Sequence, residues 1–249
     1  MAVFVTSPRL IGAGRVAELT RELHAVWTQR STAMGASPID SARTARCVLR
    51  EEVLGADGRA ITELAVSVTA WRDHVRYGTA EDEDAALAGH SYHLEVAQGH
   101  PHATGVMSEA ERGPLELEYA FLGAPEPVDR TAQVIASGSA VRSAGDLVLA
   151  LLMRHARGAG GYAPSTLSSS TATLVDILPD RSGRFELALA TPPGTYDDRL
   201  QLAGELILGE HGWPLALSLE GNIERRRQGR FELTTASGTL QLQLRWSYA

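Results

Sequence analysis

Four of the eight histidines fall close together, at His90, His93, His100 and His102. Between them lies Gln98-Gly99, a pair suited to a two-residue turn. A turn there sets Ala97 against His100, Glu95 against His102 and His93 against Thr104. His93, Glu95, His100 and His102 then project from one face, with opposed Cβ atoms about 4.5–5.5 Å apart. Imidazole and carboxylate at that reach are ligands for Zn²⁺ or a similar ion. The plainer reading is an exposed polar face carrying a His–Glu pair. The set lies at a hairpin end, with no residues in view to orient the ligands.

Other chemistry-bearing residues are more scattered. Arg225-Arg226-Arg227 with Arg230 is the main basic cluster and falls at a strand end or turn. It suits phosphates or an acidic partner surface, but no aromatic residues interleave it, and a solvated turn is the simpler reading. Gly12-Ala13-Gly14 begins a G-x-G string without a third glycine or a following dinucleotide-type unit. Ser139, Ser143 and Ser168–Ser170 lack a G-x-S-x-G setting. The lone cysteine, Cys47, sits in a strand-like run and reads as a small buried apolar residue. No catalytic residue is assigned on this basis, and no cofactor is implied.

The elements that must position these residues are mostly strands. The chain has 249 residues, 44% of them hydrophobic, and a formal net charge of −7. That size and composition suit one large β unit or two modest ones. The acidity argues against a general nucleic-acid or anionic-membrane binder, which needs clustered Lys and Arg. Between residues 183 and 248, Phe185-Leu187-Leu189, Leu200-Leu202, Leu206-Leu208, Leu215-Leu217-Leu219 and the run Leu240-Leu242-Leu244-Trp246-Tyr248 alternate with polar or small residues. Period-2 alternation of this kind marks half-buried antiparallel strands. Glu210-His211-Gly212 and Ala236-Ser237-Gly238 read as hairpin turns. Earlier, Cys47–Leu54 and Leu64–Trp71 flank Asp57-Gly58, a hairpin signal. Tyr92-Leu94-Val96 and Leu115-Leu117-Tyr119-Phe121 are read as further strands. Residues 143–157 predict the one substantial helix, with Ser143–Asp146 as a capping box and Arg154, His155 and Arg157 as cations near its C-terminal dipole. Residues 14–30 fit either period and are read as a short helical turn leading into a strand. Residues 79–86 are read as an acidic connector or single helical turn, and residues 159–173 as a loop. The four tryptophans, Trp27, Trp71, Trp213 and Trp246, are read as core, or as the lining of a cavity if one exists.

The expected fold is mainly β: a curved antiparallel meander or half-barrel with one substantial helix. It is read as one unit over 1–249, or two similar halves at about 1–125 and 126–249. Three stretches, RCVLREEVLGADGRAITELAVSVTAW, LAGHSYHLEVAQG and LQLAGELILGEHGWPLALSLEGNIE, resemble the β-meanders of bacterial envelope proteins of the lipoprotein-carrier half-barrel type. The resemblance implies a concave apolar sheet face able to hold a lipid-like ligand. The chain departs from that family in showing no signal peptide and no lipid-attachment cysteine.

The functional expectation is a non-enzymatic binding protein with an apolar ligand on the concave face. The alternative is an assembly protein docking onto other subunits. Partners are therefore an apolar small molecule or a protein. No nucleic acid is expected, and no run reaches the roughly 18 apolar residues of a membrane span. As written the chain reads as cytoplasmic, or as an envelope protein if a signal peptide has been removed. The strand Leu240–Tyr248 puts five large apolar side chains on one face. That face is covered by the helix at 143–157, by a ligand, or by another subunit.

Overall fold

The computed structural model describes residues 3–6, 12–33, 35–57, 60–97, 100–104, 107–120, 122–123, 133–156, 169–190, 198–228 and 232–249. Two meanders meet in one sheet. The first is built from β2 (Val16–Ser31), β3 (Ile39–Ala56), β4 (Ile61–Tyr77), β5 (Ala80–Asp84), β6 (Ser91–Ala97) and β7 (His100–Thr104). The second is built from β9 (Ser169–Ile177), β10 (Gly183–Ala190), β11 (Asp198–Leu208), β12 (Pro214–Gln228) and β13 (Leu233–Tyr248). They join where β2 pairs with β13, giving the order β7-β6-β4-β3-β2-β13-β12-β11-β10-β9, with β5 beside β4. Each neighbouring pair is antiparallel, as the alternation requires, and the sheet is not closed into a barrel. Between the meanders the chain forms α1 (Glu109–Glu118), β8 (Gln133–Ala136) and α2 (Arg142–His155). β8 pairs with β1 (Val3–Thr6) in a separate two-stranded ribbon.

One hydrophobic cluster joins the inner sheet face to both helices and to Phe4 and Ile135 of the ribbon. Leu240, Leu242 and Leu244 are buried in it, and Trp246 packs at its margin against His155 of α2. α2 therefore meets the end of this strand through His155. Cys47 lies in the same cluster as a buried thiol, as expected.

Several local expectations are corrected. β2 is strand throughout and contains no helical turn. Ala17, Leu19, Leu23, Ala25 and Trp27 keep strict alternation on the buried face, with Arg21 standing where the next apolar residue belongs. That arginine broke the period-2 signal. Residues 115–118 are helix, because Ser108 and Glu111 form a reciprocal capping box that starts α1. Leu115, Glu118, Tyr119 and Leu122 then lie buried at helical spacing. The Ser143–Asp146 capping box does not form. The N-cap of α2 is Val141, without a side-chain cap. Residues 80–84 are strand, paired to β4 through Asp73–Asp84 to Tyr77–Ala80. Ser169–Thr173 belong to β9; the rest of the expected 159–173 loop, 159–168, lies outside the described residues.

Ala236-Ser237-Gly238 is not a turn but the interior of β13. A Cβ at Gly238 would stand 1.9 Å from Val26 O, and one at Gly204 would stand 1.8 Å from Ser218 O. Adjacent backbones approach so closely there that only glycine fits, the usual meaning of glycine inside a bent strand.

Candidate functional site: a buried ionic cluster between sheet and helices

The inner face presents a row of side chains across successive strands. Cross-strand pairing sets Leu206, Leu217, Leu244, Arg21, Cys47 and Trp71 side by side. Arg21 is the charged member, and it is buried. Its guanidinium stacks on the Trp71 ring, Cζ 5.2 Å from the centroid. Such a contact is strengthened when both groups are desolvated.

The helix layer supplies the counter-charge. Arg21 Nη1 donates to Glu118 Oε2 at 2.5 Å, from a residue 97 positions away at the end of α1. The second oxygen, Glu118 Oε1, stands 3.4 Å from Nδ1 of His155 at the end of α2, outside hydrogen-bond geometry. His155 is fully buried and meets Trp246 edge-on. The cluster thus ties β2 to both helices. Removing one partner of a buried pair typically costs about 3–5 kcal/mol, because the other charge is stranded.

A second pair runs beside it with the polarity reversed. Glu51 of β3 accepts from Arg154 Nη2 of α2 at 2.8 Å. The Arg154 guanidinium lies over the Tyr119 ring at 5.8 Å. One pair places the cation on the sheet and the other places it on the helix. α1 is also fixed at its start. Tyr92 of β6 donates to Glu111 at 2.8 Å, and the hydrogen bonds from Ser108 hold Glu111 down at about 2.

The electrostatics follow from burial. Burial, the largest single influence, lowers the Arg21 pKa, but Glu118, Cys47 and Asp73 together outweigh it and the net shift is upward. Burial, the largest single influence, favours neutral Glu118, but Arg21, His155 and Arg154 together outweigh it and hold the carboxyl well below its ordinary range. Burial lowers His155 to about 4, against the opposing pull of Glu118, so the ring is neutral at neutral pH. It is not the dipole-facing cation expected from its position near the helix end. Burial also pushes the Cys47 thiol up to about 12, so it is no nucleophile at neutral pH. The chain matches no family model and no curated protein.

The histidines at the β6–β7 hairpin lie elsewhere. The expected register is present: His93 faces Thr104, Glu95 faces His102, and Ala97 faces His100. The two central turn residues and the His100 side chain lie outside the described residues. Glu95 and His102 are exposed, on the face opposite buried Leu94. His93 Nε2 is 2.7 Å from Glu63 and its Nδ1 is 3.1 Å from the Thr104 hydroxyl. Both ring nitrogens are thus engaged. Among the described residues no three His, Cys, Asp or Glu side chains converge as a metal site.

The remaining candidates separate widely. Arg225 and Arg226 lie inside β12, where Arg226 bonds Glu224 at 3.1 Å; the Arg227 side chain and Arg230 lie outside the described residues. Gly14 makes a turn that donates to Val53 O and leads into a strand, without the helix a phosphate loop requires. Ser139 and Ser143 line an open hollow of about 500 Å³ beside β8 and the start of α2.

Sequence reasoning missed Arg21, Glu118, Glu51 and Tyr119 as a set. One signal was available: a charged residue at an inward position, Leu19-x-Arg21-x-Leu23, between two apolar ones. Nothing in local sequence points from Arg21 to Glu118.

Proposed function

We propose that the protein binds an apolar or lipid-like ligand between the inner face of the sheet and its two helices, without catalysing a reaction. The observation that carries this reading is the composition of the inner face. It is a leucine-rich surface that also carries Arg21, Glu51 and the Arg43–Asp73 pair, with Arg21 clasped by a residue of the covering helix. A ligand that parts the helices from the sheet exchanges one apolar cover for another, so hydrophobic burial changes little while the ion pairs decide the balance. Among the described residues no helix is long and apolar enough to cross a membrane. Native mass spectrometry of protein from its own host tests the reading directly. The expected result is a retained apolar molecule of defined mass, together with binding of an environment-sensitive fluorophore by the stripped protein. Bare protein that binds no probe removes the proposal.

A second reading has its own observation. On the β1–β8 ribbon, Val134 is 72% exposed, and its cross-strand partner Val5 and neighbouring Val3 are also exposed. Exposed valines on a short ribbon suit docking onto another subunit. A defined oligomer by light scattering that dissociates in Val134→Asp supports assembly. A monomer in both proteins removes it.

A further inference from the structure

Arg21 takes its counter-charge from α1, so any ligand that reaches Arg21 must displace Glu118. Only part of its donor fork is used. Nη1 is spent on Glu118, whereas Nε has no hydrogen-bond partner. The Trp71 indole Nε1, whose ring lies against the guanidinium, also has none. Both side chains are more than nine-tenths buried, and both unpartnered atoms are donors. A buried guanidinium that loses its carboxylate is strongly disfavoured unless another anion replaces it. An uncharged tail laid across this point cannot do that. An oxyanion can, because its oxygens accept from several N–H groups at once.

We propose that the ligand is an amphiphile with an anionic oxygen head, carboxylate or phosphate, and that Arg21 holds this head in place of Glu118. The assignment rests on the binding reading above and adds the chemistry of the head. The tail lies along the leucines on the β13 side of Arg21, where Leu244, Leu217 and Leu206 continue the row. Trp71 Nε1 supplies a further donor on the β3–β4 side. Glu118 leaves with α1 into water, and the charge of the interior is conserved, one anion replacing another. No bond is made or broken in the exchange.

The test uses the full-length chain stripped of lipid. Dodecanoate, dodecyl phosphate and 1-dodecanol compete for a bound fluorescent probe, with inorganic phosphate as a fourth arm. The two anionic amphiphiles should bind about tenfold or more tighter than the alcohol of equal tail length, as expected for charged hydrogen bonds. Arg21→Met should bring acid and alcohol to parity. Glu118→Gln, which removes the carboxylate that both must displace, should tighten acid and alcohol together several-fold and keep the acid ahead of the alcohol. If Arg21→Met fails to fold, Glu118→Gln decides, and an acid that binds this variant no more tightly than the native chain overturns the assignment. Equal affinity of the native chain for acid and alcohol overturns the head and leaves apolar binding standing. No binding by any amphiphile overturns both. Inorganic phosphate that binds as tightly as dodecyl phosphate identifies a free anion and overturns the role of the tail.

Discussion

The chain carries two clusters built from the same residue types in opposite surroundings. At the β6–β7 hairpin, His93 sits between Glu63 and Thr104 on the outer face, with His93 and Glu63 both about two-fifths exposed. Between sheet and helices, His155 sits against Glu118 and Arg21 with almost no exposure. The outer cluster is local, since β6 ends at Ala97 and β7 begins at His100. The inner one draws on β2, α1 and α2. Water screens the outer charges and makes each contact cheap to form and to lose. In the interior the same contacts are costly to break, and they hold separate layers together.

The largest expected effect breaks the inner cluster from one side. Glu118→Ala leaves Arg21 buried without a carboxylate and should lose about 3–5 kcal/mol of unfolding free energy in urea titrations. Replacing both partners, Arg21→Met with Glu118→Leu, should recover most of that loss, because apolar residues of similar volume substitute well for a buried pair. A double variant no more stable than Glu118→Ala would mean that the pair does more than neutralise itself.

Acid sharpens the contrast next. His155 has its pKa lowered from 6.5 to about 4 by burial. The unfolded chain therefore binds a proton that the folded chain refuses between those values. Stability is complete above about 6.5 and falls as the pH drops toward 4, by about 3 kcal/mol for this group. Glu118, with its carboxyl held low, adds a further loss below its ordinary value of 4.5. Urea midpoints measured from pH 7 to pH 4 should trace the slope, and His155→Gln should flatten it between pH 6.5 and 5. A slope that persists unchanged in the variant places the titrating group elsewhere.

The fold was legible in the sequence because it is written in short-range alternation. Phe185-Leu187-Leu189 and Leu240-Leu242-Leu244 state a strand face within five residues, and those strands are present. The outer histidine register was legible for the same reason, since a two-residue turn determines which side chains oppose each other. The inner cluster was not, because its members lie 97 positions apart and pair only through tertiary packing. Misreading began at its own residues. Arg21 blurred the period of β2, and the alternation Leu115-Leu117-Tyr119 hid a helix whose buried face includes Glu118. A charged residue placed inside a core disturbs the pattern by which its element is recognised, so the cluster concealed itself.

The outer cluster should give the smallest effects. His93→Ala and Glu63→Ala should each change unfolding free energy by no more than about 1 kcal/mol, as for other exposed pairs. Zn²⁺ at micromolar excess should leave the melting temperature within about 1 °C, because stabilisation by a ligand requires binding to the native state well below its free concentration. His93 would have to give up Glu63 and Thr104 before binding a metal with Glu95 and His102. A rise of several degrees that disappears in His102→Ala would show that the hairpin does rearrange in this way. The outer face would then be a metal site after all, and the contrast between a solvated pair and a buried clasp would give way to two sites with separate ligands.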